Sequence, residues 1–343
     1  MPIVTFHIGM PKCATTTIQS FLAEGAAWLA AQGQVYEHHP EDRTRNQGNA
    51  AQLAAFGVAQ DSTRMAAHLG YFLRSGRDVV LSSEVLFDLW RQERFVPLRD
   101  AVRRLGYELR VVVYLKRQDL WIESDFKQHV KGRSDWAGSF EHLLERRLSR
   151  GTLDYHRLLG AWAAQVGREA MTVVPLNPSQ PQDFAVRRFL EIIGVAPPEG
   201  ALGLAPQNVS PPAAMIEAAR HIKAALLARG LSGPEIAPLL AQFMAQMPER
   251  AQTGAAQEIL SPEARRDLLE RCAASNAALA QEFLAGQVPF DPPEPVGAWV
   301  PLSERAVAIL AERVSQEMLG SAPEAKPDSS FIGRWRAARR GKT

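Results

Sequence analysis

Between Gly9 and Thr17 the chain sets one lysine and three consecutive threonines where an apolar run gives way to a helical pattern. The run is Val4-Thr5-Phe6-His7-Ile8. It is followed by Gly9-Met10-Pro11-Lys12-Cys13-Ala14 and then by Thr15-Thr16-Thr17-Ile18-Gln19. The first N–H groups of a helix have no intrahelical partner, and the aligned peptide dipoles add partial positive charge there. A strand that turns directly into such a helix N-terminus is therefore an anion site. Lys12 and the hydroxyls of Thr15, Thr16 and Thr17 add donors, and the group they suit is a phosphate or a sulfate.

Two familiar phosphate loops fit this segment poorly. The frame of Gly9, four residues and Ala14-Thr15-Thr16 resembles the Walker A pattern G-x4-G-K-[ST]. However, alanine replaces the second glycine, Thr15 occupies the lysine position, and Lys12 lies inside the x4 stretch. A nucleotide-hydrolysing site needs the later lysine. Cys13 invites comparison with the C-x5-R loop of cysteine phosphatases, but the arginine position is Gln19. A thiolate there would lack its bidentate phosphate ligand.

The remaining form, H-I-G-x-x-K-x-x-T-T, resembles the 5′-phosphosulfate loop of sulfotransferases that use PAPS (3′-phosphoadenosine 5′-phosphosulfate). That family commonly shows K-[TSG]-G-T-[TR], against Lys12-Cys13-Ala14-Thr15-Thr16 here. If the family's glycine takes φ > 0, Ala14 must carry strain or the backbone must differ. A second segment strengthens the resemblance. Leu109 to Leu115 is a β-branched run of the kind that forms a buried parallel strand. It leads into Lys116-Arg117-Gln118-Asp119, and Ser124-Asp125-Phe126-Lys127-Gln128 resembles the family's S-D-Y-x-Q. The resemblance implies that a basic residue at the strand end, Lys116 or Arg117, binds the 3′-phosphate together with Ser124. Lysine in place of the usual arginine keeps the charge but loses the bidentate fork.

A third strand, Arg77 to Ser83, ends at Glu84. Ligands of open α/β sheets bind outside the carboxyl ends of the strands, so Lys12, Glu84 and Lys116 are expected to share one crevice. Sulfuryl transfer to an alcohol needs a group that takes the hydroxyl proton. The resemblance implies Glu84 in that role, as in carbohydrate-directed members. The alternative for Glu84 is a first-turn acid at a helix start. Members acting on small alcohols use histidine, which leaves the loop pair His38 and His39 as a second candidate, whereas His7 on the first strand reads as core.

The elements needed to hold these residues are those of an α/β fold: a P-loop-like three-layer arrangement, with a central parallel sheet and a helical C-terminal extension. Helices are expected over Thr16–Ala31, Ser62–Ser75, Arg91–Leu105, Phe140–Ser149, Tyr155–Val166 and Asp183–Ile193. A fourth strand is expected over Met171–Leu176. Residues 40 to 65 read as a polar loop plus a helix near the acceptor. The predicted organisation is a PAPS-binding core over 1–204, a helical extension packing on it over 205–320, and a basic tail over 321–343. Asn208 and Ser210 are weak nucleotide-loop candidates, and Phe331 to Lys342 interleaves basic and aromatic residues.

With 39 Lys+Arg against 37 Asp+Glu, no global basic field marks nucleic acid as a partner. Cys13 and Cys272 are the only cysteines, which excludes a disulfide framework and a cysteine–zinc cluster. No apolar run of spanning length occurs, and the first strand begins almost at the N-terminus. The expectation is a cytoplasmic, bacterial-type enzyme. The resemblance implies metal-free transfer of a sulfuryl group from PAPS to an acceptor hydroxyl, probed most simply through the product PAP, with a carbohydrate or glycoconjugate as acceptor. Lys12 would neutralise the leaving phosphate oxygen, and Cys13, Ala14, Thr15, Thr16 and Thr17 would surround the 5′-phosphate. The rival readings are a P-loop small-molecule kinase and a non-catalytic nucleotide-binding module.

Overall fold

The computed structural model describes residues 1–42, 47–199, 202, 211–246, 259–294 and 315. Asn208, Ser210 and the basic tail lie outside them. Five strands form one sheet: β1 (Ile3–His7), β2 (Gln34–Val35), β3 (Asp78–Ser82), β4 (Glu108–Lys116) and β5 (Met171–Leu176). All pairings are parallel and the order is β2-β3-β1-β4-β5. The early helices are α1 (Thr15–Glu24), α2 (Ala26–Ala31), α3 (Ala51–Val58), α4 (Ser62–Leu73), α5 (Val96–Arg104) and α6 (Gln118–Lys131). The later ones are α7 (Phe140–Ser149), α8 (Tyr155–Val166), α9 (Phe184–Ile192), α10 (Ala213–Ala228), α11 (Gly233–Gln246) and α12 (Pro262–Phe283). Together they make a three-layer α/β arrangement.

The strands are apolar on both faces because helices cover both faces of a parallel sheet. Val111 to Tyr114 are fully buried, as are Phe6 and Val80. Phe95 anchors the core, with the Phe6 ring edge-on at 5.2 Å and the Trp162 ring at 4.8 Å. Hydroxyl or carboxylate caps start several helices. Asp61 accepts the Arg64 N–H for α4, Asp154 the Arg157 N–H for α8, and Ser261 the Ala264 N–H for α12.

Some elements differ from the sequence expectation. The helix expected over Thr16–Ala31 is two helices broken at Gly25, whose N–H bonds back to the Phe21 carbonyl. The edge strand β2 was missed, so Met171–Leu176 is the fifth strand. The helix expected from Arg91 begins only at Val96, and a 3₁₀ segment, Glu84–Glu93, precedes it.

By its contacts the chain divides into two units, and neither is continuous in sequence. The first comprises Met1–Phe126, Ser139–Ser210 and Ile259–Trp299; the second comprises Lys127–Gly138, Pro211–Glu258 and Val300–Thr343. Within the first, α12 packs on α8. Gln118 also exchanges hydrogen bonds with Asn276, and Asn177 binds the Asp291 N–H at 3.0 Å. Helix α12, expected in the extension, thus belongs with the sheet unit. Within the second unit, α10 packs on α11. There the fully buried Lys223 donates to the carbonyls of His129, Val130 and Gly132. Burial lowers its pKa, and the three oxygens at a helix C-terminus are what an ammonium needs in that position.

Candidate functional site

Strand register sets the site. The last residue of β1, His7, pairs with Ser82 on one side and Val112 on the other. The ladder continues one step, through Ser83 N–H to the His7 carbonyl at 3.2 Å and Ile8 N–H to the Val112 carbonyl at 3.1 Å. Glu84 follows directly after Ser83, and Lys116 ends β4. The chain leaves β1 for β2 and β3 on one side and takes β4 and β5 on the other, so the loop 8–14 occupies the switch point of the sheet.

The loop turns tightly. Gly9, Lys12 and Ala14 have φ of 35°, 70° and 60°. Ala14 is the residue before α1 and holds the left-handed conformation foreseen for the family's glycine. For a residue with a Cβ this costs about 1–2 kcal/mol. At Gly9 a Cβ would come within 2.7 Å of the Thr15 hydroxyl, so only glycine fits. Helix α1 has no side-chain cap and no acid in its first turn, which leaves its N-terminal N–H groups facing the loop without a protein anion of the helix's own.

Lys12, Cys13, Thr15, Glu84 and Lys116 meet here. Burial raises the pKa of the Glu84 carboxyl. The Thr15 hydroxyl, the Lys12 charge and the Lys12 backbone N–H act in the opposite direction. The Thr15 Oγ1 is buried beside that carboxylate. Cys13 is fully buried, and burial pushes its thiol up to about 12, although the neighbouring Lys116 and Lys12 charges pull the other way. It is a packing residue facing both lysines, not a nucleophile. Thr16 is exposed and Thr17 half-buried at the start of α1. Glu84 opens the 3₁₀ segment, which Ser83 caps by accepting the Val85 N–H at 3.2 Å. It is thus a first-turn acid as well as a neighbour of Lys12.

The two basic candidates after β4 part company. Lys116 is half-buried, and its carbonyl accepts the Tyr155 hydroxyl at 2.8 Å. Arg117 is buried in a bidentate pair with Asp119, at 2.7 and 2.9 Å, and donates its third edge to the Asp291 carbonyl at 2.8 Å. Arg265 approaches the same Asp119 at 3.4 Å. Arg117 therefore serves the interior of the unit.

Ser124 is half-buried on α6. One turn earlier on that helix, the Trp121 indole N–H donates to the Pro11 carbonyl at 2.8 Å and ties α6 to the loop. Residues three apart share a helix face, so Ser124 is on the face that meets the loop. The sequence reading had no role for Trp121, although its i, i+3 spacing from Ser124 was visible. It also missed a buried relay beneath the loop. Gln19 Nε2 donates to Ser82 Oγ at 3.0 Å, and Ser82 Oγ is 2.9 Å from His7 Nδ1. The relay joins α1, β3 and β1. Burial pushes the His7 pKa down to about 3, so the ring is neutral and belongs to the core.

His38 and His39 lie on the loop after β2, against α4. The His39 ring stacks on His68 with centroids 3.8 Å apart. Among the described residues, no helix is long and apolar enough to cross a membrane. No protein-family model matches the chain, and no curated protein or solved structure matches it either.

Proposed function

We propose that the chain is a sulfotransferase that moves a sulfuryl group from PAPS to an acceptor hydroxyl, on a carbohydrate or glycoconjugate. One observation carries the reading: a carboxylate and two lysines from three strand ends converge around a tight loop that opens a helix. The donor set suits an anion. The α1 N-terminus offers N–H groups, Lys12 offers charge, and the Thr15 hydroxyl is buried beside them. Thr15 stands where a Walker-type loop carries its lysine, and this favours sulfuryl over phosphoryl transfer.

When bound, PAPS supplies a sulfuryl group activated by its 5′-phosphate. The residues of the chain then divide the work. Glu84 takes the acceptor's hydroxyl proton as that oxygen forms its bond to sulfur. The sulfur–oxygen bond to the 5′-phosphate breaks in line, and Lys12 neutralises the charge that develops on the departing phosphate oxygen. The Cys13 N–H is taken by the Met10 carbonyl, so backbone N–H groups from Ala14 onward, with the hydroxyls of Thr15, Thr16 and Thr17, hold the 5′-phosphate, and Lys116 with Ser124 holds the 3′-phosphate. Arg117 drops out of the ligand set because its donors are committed to Asp119 and Asp291. Trp121 keeps α6, and therefore Ser124, against the loop.

Calorimetric titration with PAP, ADP, ATP and GTP tests the nucleotide class without knowledge of the acceptor. PAP is expected to bind at least ~10-fold tighter than ADP, since a second basic site awaits the 3′-phosphate and ~1.4 kcal/mol is a modest return for a charge-assisted contact. Magnesium is not expected to be required. Equal affinity for PAP and ADP would remove the reading and favour a kinase.

A further inference from the structure

The loop after β2 carries Tyr36, Glu37, His38, His39, Glu41 and Asp42, and it packs against His68, Tyr71 and Phe72 of α4. Three side chains converge there: His39, Asp42 and His68 each bring a ligand-type atom within 4.8 Å of the other two. The Asp42 and His68 side chains are only 2 % and 3 % exposed. His68 is fixed on the buried face of α4, between the rings of Phe56 and Phe72.

Two atoms of this cluster face each other in the interior. Asp42 Oδ1 and His68 Nε2 are both buried and lie 3.2 Å apart as a histidine–carboxylate contact, and neither has a further hydrogen-bond partner. A buried pair left with only each other is satisfied by a shared proton or by a shared ion. The separation itself is informative. Two ligands of a tetrahedral zinc ion, each about 2.0–2.1 Å from the metal, stand about 3.3 Å from each other. The other carboxylate oxygen is already held. Asp42 Oδ2 accepts the His39 backbone N–H at 3.0 Å and lies 3.8 Å from His38 Nδ1. Such outer contacts are what fixes a ligating carboxylate.

We propose that His39, Asp42 and His68 bind a divalent transition-metal ion of the zinc type. One carboxylate and two imidazoles form a borderline donor set that suits zinc better than magnesium or calcium. A water or Glu41 completes four-coordination. The His39 and His68 rings stack at 26°, so their in-plane lone pairs do not yet aim at one point. Since α4 holds His68, the ring that must turn is the half-buried His39. Its Nδ1 accepts the Glu41 N–H at 3.1 Å and therefore carries the lone pair; ligation replaces that hydrogen bond. The ion then clamps the loop after β2 onto α4. Cysteine counting could not reveal this site, because it contains none. The proposal is independent of the sulfuryl-transfer reading.

The test uses the full chain, dialysed against chelator. Co²⁺ titration is expected to give visible d–d bands that saturate at one equivalent. Zn²⁺ in excess is expected to abolish the bands and to raise Tm by about 5 °C or more. Asp42→Asn keeps the shape and is expected to lose the bands and the Zn²⁺ shift. His68→Gln is expected to do the same, and Asp42→Asn decides alone if that variant does not fold. A wild-type chain that gives neither bands nor a Tm shift overturns the proposal, and the pair then shares a proton rather than a metal. Bands that persist unchanged in Asp42→Asn also overturn it, because the ion then sits elsewhere.

Discussion

Burial pushes the Glu84 carboxyl above its ordinary value, while Thr15 and Lys12 restrain the rise. As the proposed general base, Glu84 must be ionised, so activity is expected above this raised pKa and is expected to be lost as pH falls through it. The acidic limb of kcat/KM is expected above the range of an exposed glutamate. Glu84→Gln is nearly isosteric. It is expected to keep the fold and PAP affinity, to lower kcat by roughly 10²–10⁴-fold and to erase that limb. If Glu84→Gln retains full turnover, the proton goes elsewhere. Lys12 and Lys116 separate the two roles of charge. Lys12→Ala is expected to lower kcat mainly, because the charge it meets develops during transfer. Lys116→Ala is expected to raise KM for PAPS mainly, because the 3′-phosphate does not change. Identical patterns for both variants would refute the division. At this scale the loop was legible because Gly9 to Thr17 act through local backbone geometry. The fate of Arg117 was not legible, since Asp291, one of the partners that occupy it, lies 174 residues away.

Among the elements, the junction of β1 and α1 is one of several that carry a non-glycine residue at positive φ. Ala14 sits at φ 60° and ψ 11°, a conformation that glycine adopts freely. Ala14→Gly is expected to stabilise the fold by about 1 kcal/mol, because relief of the left-handed penalty exceeds the added freedom of the unfolded chain. Chemical denaturation reads this directly, and a loss of stability would mean that the alanine methyl packs usefully. The long β-branched runs 109–115 and 171–176 and the helices over 140–149 and 155–166 were legible because their patterns span whole elements. Strand β2 was not, because two residues carry no periodicity. It exists through its pairing with β3 and the Gln34 side chain, which donates to the Ile193 carbonyl at 2.8 Å. The break at Gly25 was also missed, since Thr16 to Ala31 reads as one uninterrupted helical pattern.

For the whole molecule, composition was informative mainly by exclusion, and the linear division at residue 204 concealed how the sheet unit is assembled. Two prolines and a change of composition mark a boundary near residues 197–205, yet residues 259–294 return to the sheet unit. The return is built into buried groups. Arg117 donates to Asp291, Gln118 meets Asn276, and Glu123 accepts the N–H groups of Ile259 and Leu260. A chain ending at residue 204 would leave these partners missing and one face of α8 bare. It is expected to be insoluble or to lack the cooperative thermal transition expected of the full chain. A soluble, PAP-binding 1–204 fragment would contradict this.

The same bond from Arg117 to the Asp291 carbonyl has a consequence during synthesis. A ribosome emits the chain from its N-terminus at about 5–20 residues per second, and domains tend to fold as they emerge. Here β1, the loop 8–14 and the end of β4 all emerge long before Asp291, whose carbonyl accepts from Arg117. For that interval the nascent sheet unit holds a buried-to-be cation with one partner still untranslated. Until residue 291 is made, the Arg117 guanidinium has Asp119 alone to pair with.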